Sequence, residues 1–251
     1  VPDSPTNTTL IGARCASVRE RIAAAAGRAG RAPDSITLVV VTKTFGVDAV
    51  DAAIAAGARD LGENYVQEAA EKIATLGGQA TSSASTRPRW HFIGHLQRNK
   101  AARAVSLFDR IHTLDSTRLA QELDRAATRT GRTLRVLVEV NVGNQSTKRG
   151  LPPDEIRDFL RAIAPMQRLT VDGLMAIPPM APDPEASRPY FRQLATLADA
   201  LKADGFDLPH LSMGMTDDFE IAIEEGATIV RVGRAIFGPR ATRGPAPRKP
   251  G

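Results

Sequence analysis

Short runs of β-branched and apolar residues alternate with segments of helical periodicity over most of this chain, and that alternation confines it to a few parallel-sheet architectures. The strand-like runs are 36–41, 59–62, 90–93, 110–114, 134–142, 169–175, 210–213 and 228–232, about eight in number. The first, ITLVVV, is apolar on successive positions, as a strand covered on both faces must be. Segments 47–56 and 65–76 read as intervening helices. Ahead of the first strand, Ile11, Cys15, Val18 and Ile22 recur every three or four residues and mark a leading helix over 10–29. Eight alternations favour a single (β/α)8 TIM-type barrel, and 251 residues suit one such domain. A doubly wound open sheet is the alternative, because alternation alone does not distinguish a closed sheet from an open one; no GxGxxG follows the first strand.

The expected organisation is a flexible segment 1–9, a barrel over 10–239 and a disordered basic tail over 240–251. The polar linker 77–89 reads as a mobile surface loop. The formal charge is +5, but Arg240, Arg243, Arg248 and Lys249 lie in the tail, so the body is nearly neutral. With only 4% aromatic residues, the chain lacks the stacking groups that accompany a nucleic-acid groove, and no nucleic-acid partner is expected. Cys15 is the sole cysteine, which excludes an intramolecular disulfide and a thiolate zinc cluster. The polar start VPDSPTNTTL and the lack of about 18 successive apolar residues point to a cytoplasmic protein without a membrane partner.

In a barrel of this type the working face lies at the C-terminal ends of the strands, with phosphate groups often held after the seventh and eighth. SMGMTDDFEIAIEEGA places Ser212, Met213 and Gly214 between a short strand and a helix, with Thr216 or Asp217 as its expected N-cap. Gly233 follows the eighth strand, where a missing Cβ permits close backbone approach; both glycines are also explicable as turn residues. Lys43 stands at the end of the first strand, behind Val39, Val40 and Val41. Partial desolvation there would lower its pKa from about 10.4 and favour the free amine that attacks an aldehyde. The alternative is a lysine that reaches solvent or pairs with Glu63. His91 and His95 are four apart, but Gly94 and the strand-like WHFI put them on different elements, so they are not read as zinc ligands. Ser116, His112 and Asp115 are near neighbours in the chain and are not expected to form a triad. Asn64 and Asn99 sit just past strand ends, as caps, turns or ligand contacts.

Six motifs in order, VTKTF, GENYVQE, WHFIGHLQRNK, GLM, LSMGMTDDFEIAIEEG and RVGRAIFG, resemble those of the pyridoxal phosphate homeostasis proteins, also called the proline synthase co-transcribed group. The resemblance runs from 36 to 238. It departs at Gly46, where proline is more usual, and in the linker 77–89. It implies a barrel similar to the N-terminal domain of alanine racemase without that enzyme's C-terminal β-domain, and pyridoxal 5'-phosphate as cofactor. Lys43 then matches the lysine of the internal aldimine, while Ser212, Gly214 and Gly233 match the phosphate cradle. Arg231 matches the arginine facing the pyridine nitrogen, and Asn64 and Met213 match positions near the ring. The implied role is vitamin B6 homeostasis and cofactor delivery to apo-enzymes by a monomer or weak dimer. A low-activity amino-acid racemase is the alternative. In the racemases the β-domain supplies a tyrosine as second acid/base, whereas the only tyrosines here are Tyr65 and Tyr190, within the barrel segment.

Overall fold

A computed structural model describes residues 5–78, 87–145 and 149–239. The leading helix α1 (Pro5–Arg28) is followed by β1 (Thr37–Val41), α2 (Val47–Ala55), β2 (Asp60–Glu63), α3 (Val66–Gly78) and β3 (Arg89–Phe92). Next come α4 (Ala101–Leu107), β4 (Arg110–Leu114), α5 (Thr117–Thr130), β5 (Leu134–Val140), α6 (Ile156–Ile163) and β6 (Leu169–Ala176). The last units are α7 (Arg188–Ala203), β7 (His210–Ser212), α8 (Phe219–Glu224), β8 (Ile229–Val232) and the short α9 (Arg234–Phe237). All strands are parallel, and β1 pairs with both β2 and β8, so the sheet closes into an eight-stranded barrel. Closure excludes the open doubly wound sheet.

Alternation along each strand divides the core in two. Val40 joins the large apolar layer between sheet and helices, whereas Val39, Leu137, Met175 and Ile229 form a small cluster within the barrel. The stripe Ile11, Cys15, Val18 and Ile22 is buried as expected, and α1 packs on α2, α8 and α9, across the seam where β1 meets β8. Arg21–Glu220 and Arg28–Glu224 ion pairs border that contact. Helix α5 starts at Ser116, whose hydroxyl accepts the Leu119 N–H, and ends at Gly131, whose φ of 67° is the left-handed stop expected after a helix.

Several boundaries differ from the sequence expectation. Helix α1 begins at Pro5, five residues ahead of the expected start at Leu10: proline suits a first helical turn, where its missing N–H costs nothing. The N-cap position of α8 is Asp218, with no side-chain cap bond, rather than Thr216 or Asp217, and β7 ends at Ser212, one residue early. Lys43 lies in the turn two residues beyond β1. The tail 240–251 and most of the linker 77–89 lie outside the described residues. No second, β-rich domain occurs among the described residues, none of whose helices is long and apolar enough to cross a membrane.

Candidate functional site

The C-terminal ends of the strands surround a cavity of about 450 Å³. Val41, Lys43, Asn64, Arg231 and Gly233 line its floor and wall, with Met215 to Asp218 and the 177–184 segment at the rim. Lys43 is half-buried there. Its turn carries Thr44 at φ 70°, a strained value for a β-branched residue, so the surroundings must hold it. They do so through charge. The buried Lys72 donates to Glu63 Oε1 at 2.6 Å, Thr42 O at 2.7 Å and Glu68 Oε1 at 2.6 Å. Thr42 Oγ1 donates to the same Glu63 oxygen, and the Thr44 N–H donates to Glu68. Burial raises the Glu63 pKa, while the bonds from Lys72 and Thr42 oppose that rise. Glu63, considered from sequence as a partner for Lys43, thus belongs to a brace beneath the turn.

Asn64 Oδ1 is buried without a hydrogen-bond partner, although Asn64 lines the cavity. Arg231 points inward from β8 and is 4% exposed. It donates to Ser212 O at 2.8 Å, Ser212 Oγ at 2.5 Å and Ala176 O at 3.1 Å, all uncharged acceptors. Burial lowers its pKa to about 10, with Glu139 and Asp218 opposing the shift.

Three residues expected at the phosphate or ring do not line the cavity. Ser212 lies fully buried against Arg231, because β7 alternation turns it into the barrel at the level of that guanidinium. Met213 faces the opposite way and joins the helix-packed core. Gly214 has φ 89°, and a Cβ there would stand 2.6 Å from Ala222 Cβ and 2.8 Å from Phe219 Cα; its freedom serves the tight entry to α8. Gly233 does line the cavity, yet its missing Cβ chiefly admits Val41, 3.2 Å away. Arg234 takes a rim position that the motifs did not assign, and Thr216, expected as an N-cap, takes another. The neighbouring carboxylates are occupied: Asp218 accepts the Met215 N–H at 2.7 Å, and Asp217 pairs with Arg234.

Behind Arg231 runs a buried polar chain that sequence reading missed. His112 Nδ1 lies 2.9 Å from Ser212 Oγ, His112 Nε2 lies 2.9 Å from His91 Nδ1, and His91 Nε2 lies 2.8 Å from Asp60 Oδ1. Desolvation lowers both imidazole pKa values, so both rings are neutral and each carries one N–H. Only one pattern then satisfies every link. His91 donates to Asp60, His112 to His91, Ser212 to His112 and Arg231 to Ser212. Desolvation of Asp60 would raise its pKa, but hydrogen bonds from His91 and Arg89 outweigh it and hold the value at about 2. The available signal was positional: Asp60, His91 and His112 occupy inward positions in their strands. His112 is not part of a triad with Ser116, which caps α5, and no metal-holding cluster of three or more such residues occurs among the described residues.

A parallel barrel with a lysine past its first strand and a buried arginine on its eighth defines the class to which the chain compares. The family model for the alanine racemase N-terminal domain matches residues 14–241. The pyridoxal phosphate homeostasis protein of Escherichia coli K12 is 42% identical over 227 residues, which is 90% of this chain and 94% of that protein. The chain belongs to the family of pyridoxal phosphate homeostasis proteins. The structure of PipY from Synechococcus elongatus PCC7942 with pyridoxal phosphate bound matches at TM-score 0.78 and 36% identity, over 91% of this chain and all of that one. Alanine racemase from Clostridium difficile, at 12% identity and TM-score 0.69, shares the fold over 95% of this chain but only 61% of its own.

Proposed function

We propose that the chain binds pyridoxal 5'-phosphate at the mouth of the barrel as an internal aldimine on Lys43 and serves vitamin B6 homeostasis by releasing the cofactor to apo-enzymes. The carrying observation is the convergence of a braced, half-buried lysine, an unpartnered Asn64 oxygen and a buried guanidinium on one cavity. These residues fit the group. Lys43 Nζ would supply the amine that condenses with the aldehyde with loss of water, a link that hydrolysis reverses. Asn64 offers a polar contact to a ring substituent. Arg231 would face the ring, while Thr216, Gly233 and Arg234 are the rim residues that would hold the phosphate; on this reading Thr216 and Arg234 take the cradle role expected of Ser212 and Gly214.

When bound, the cofactor supplies an aldehyde and an electron-withdrawing ring. A cationic Arg231 beside the ring nitrogen would disfavour its protonation, which would weaken the ring as an electron sink and suit a carrier that should spare amino acids. Neither tyrosine lines the cavity: Tyr65 is exposed near α3, and Tyr190 lies on α7.

The test is spectroscopic. Purified protein mixed with pyridoxal phosphate is expected to show a visible absorbance band that borohydride fixes as a covalent adduct on Lys43, located by peptide mass spectrometry. Lys43→Ala is expected to give no fixed adduct. A wild-type protein that stays colourless at saturating cofactor would end the proposal. Turnover of alanine, serine or glutamate enantiomers faster than about one per second would replace the carrier reading by the racemase.

A further inference from the structure

A second cavity, of about 540 Å³, lies at the opposite, N-terminal end of the barrel. Arg89, Arg110, Arg132 and Arg135 all line it, against two lining carboxylates, Asp60 and Asp109. The guanidiniums are only partly used. Arg89 makes two parallel bonds of 2.7 Å to Asp60. Arg110 and Arg135 draw on a single oxygen, Asp172 Oδ2, at 2.7 and 3.3 Å. Arg132 donates to the Val105 and Phe108 carbonyls at 2.6 and 3.4 Å, with Asp109 as far as 3.9 Å away. Each guanidinium has five N–H groups, and these bonds engage at most two nitrogens of any one of them. Arg89 and Arg135 are more than 60% exposed, so their remaining donors are open to a ligand.

The N-terminal face of a barrel ordinarily contributes stability, and paired charges alone would satisfy that role. Here the positive groups outnumber the acids that line the cavity, and they arrive from β3, β4, β5 and the turn before β5, hence from several directions. Such a set matches a tetrahedral oxyanion better than a planar carboxylate, which two parallel N–H groups already satisfy. We propose that this floor cavity is a binding site for a phosphoryl group, carried by inorganic phosphate or a small phosphate ester. His91 and His210 also line the cavity and supply local reporters. The site is separate from the mouth and does not depend on the cofactor reading.

The experiment uses the full chain at low ionic strength, titrated with inorganic phosphate and separately with acetate by calorimetry, while ring ¹⁵N signals of His91 and His210 are followed by NMR. Phosphate is expected to bind saturably, to shift both histidine signals and to bind at least tenfold more tightly than acetate. An Arg132→Gln/Arg135→Gln double variant, folded by circular dichroism, is expected to weaken phosphate at least tenfold. A phosphate ester such as glycerol phosphate distinguishes the sources: tighter binding than phosphate assigns an ester, and equal or weaker binding assigns the free ion. No saturable binding, acetate affinity equal to phosphate, or phosphate affinity unchanged in the double variant would each overturn the proposal.

Discussion

Glu139 is an inward carboxyl on β5, 8% exposed, whose pKa is raised to about 7 by burial and by Asp115, against the pull of Arg231 and Arg149. The folded state therefore holds its proton more tightly than the unfolded chain, where the usual value is 4.5. This stabilisation is complete below pH 4.5 and is lost as pH rises through about 7. A Glu139→Gln protein keeps the neutral form at every pH. Wild type and variant are expected to have similar unfolding free energies from urea titration at pH 4.5, with wild type falling behind by on the order of 3 kcal/mol at pH 8. Equal pH profiles would show that folding leaves the Glu139 pKa at its unfolded value. Asp60 has the opposite sign. Its folded value of about 2 lies below the ordinary 3.8, so its contribution is present above pH 3.8 and disappears as pH falls through 2.

The element that matters most for the proposed chemistry is the turn after β1. Thr44 adopts a left-handed backbone there, and Lys72 on α3 holds the turn through Glu63, Glu68 and the Thr42 carbonyl. Lys72→Met would strand the fully buried Glu63 and is expected to cost about 3–5 kcal/mol in chemical denaturation. Lys72→Met/Glu63→Leu removes both charges and is expected to recover much of that loss, while cofactor uptake stays impaired because the turn has lost its brace. Full recovery of uptake in the double variant would show that the brace does not position Lys43. From the sequence, the strand and Lys43 were legible because apolar patterning is local; the brace was not, since Lys72 lies 29 positions beyond Lys43 and meets the turn only when α3 packs back on the barrel.

At the scale of the molecule, α1 lies across the seam between the first and last strand–helix units and supports closure of the sheet. Cys15 lies in that contact, fully buried, and burial pushes its thiol pKa up. The native protein is therefore expected to react with a thiol reagent at a rate set by detachment of α1 rather than by the thiol itself. Val18→Asp, on the same buried stripe, is expected to raise that rate at least a hundredfold and lower the thermal midpoint. Rapid labelling of the native wild type would mean that α1 opens without cost.

The sequence alone determined the number and order of the strand–helix units, the leading helix, and the placement of Lys43 and Gly233 just past strand ends, because each follows from local periodicity and from motif order. Closure, the face that Ser212 and Met213 present, and the chain from Asp60 through His91, His112 and Ser212 to Arg231 were decided only by the tertiary structure. The longest link of that chain spans 100 positions, and the pairing that closes the sheet joins Thr37 to Ile229. A one-residue change of strand phase would exchange inward and outward side chains, and phase is set by the pairing of all eight strands together.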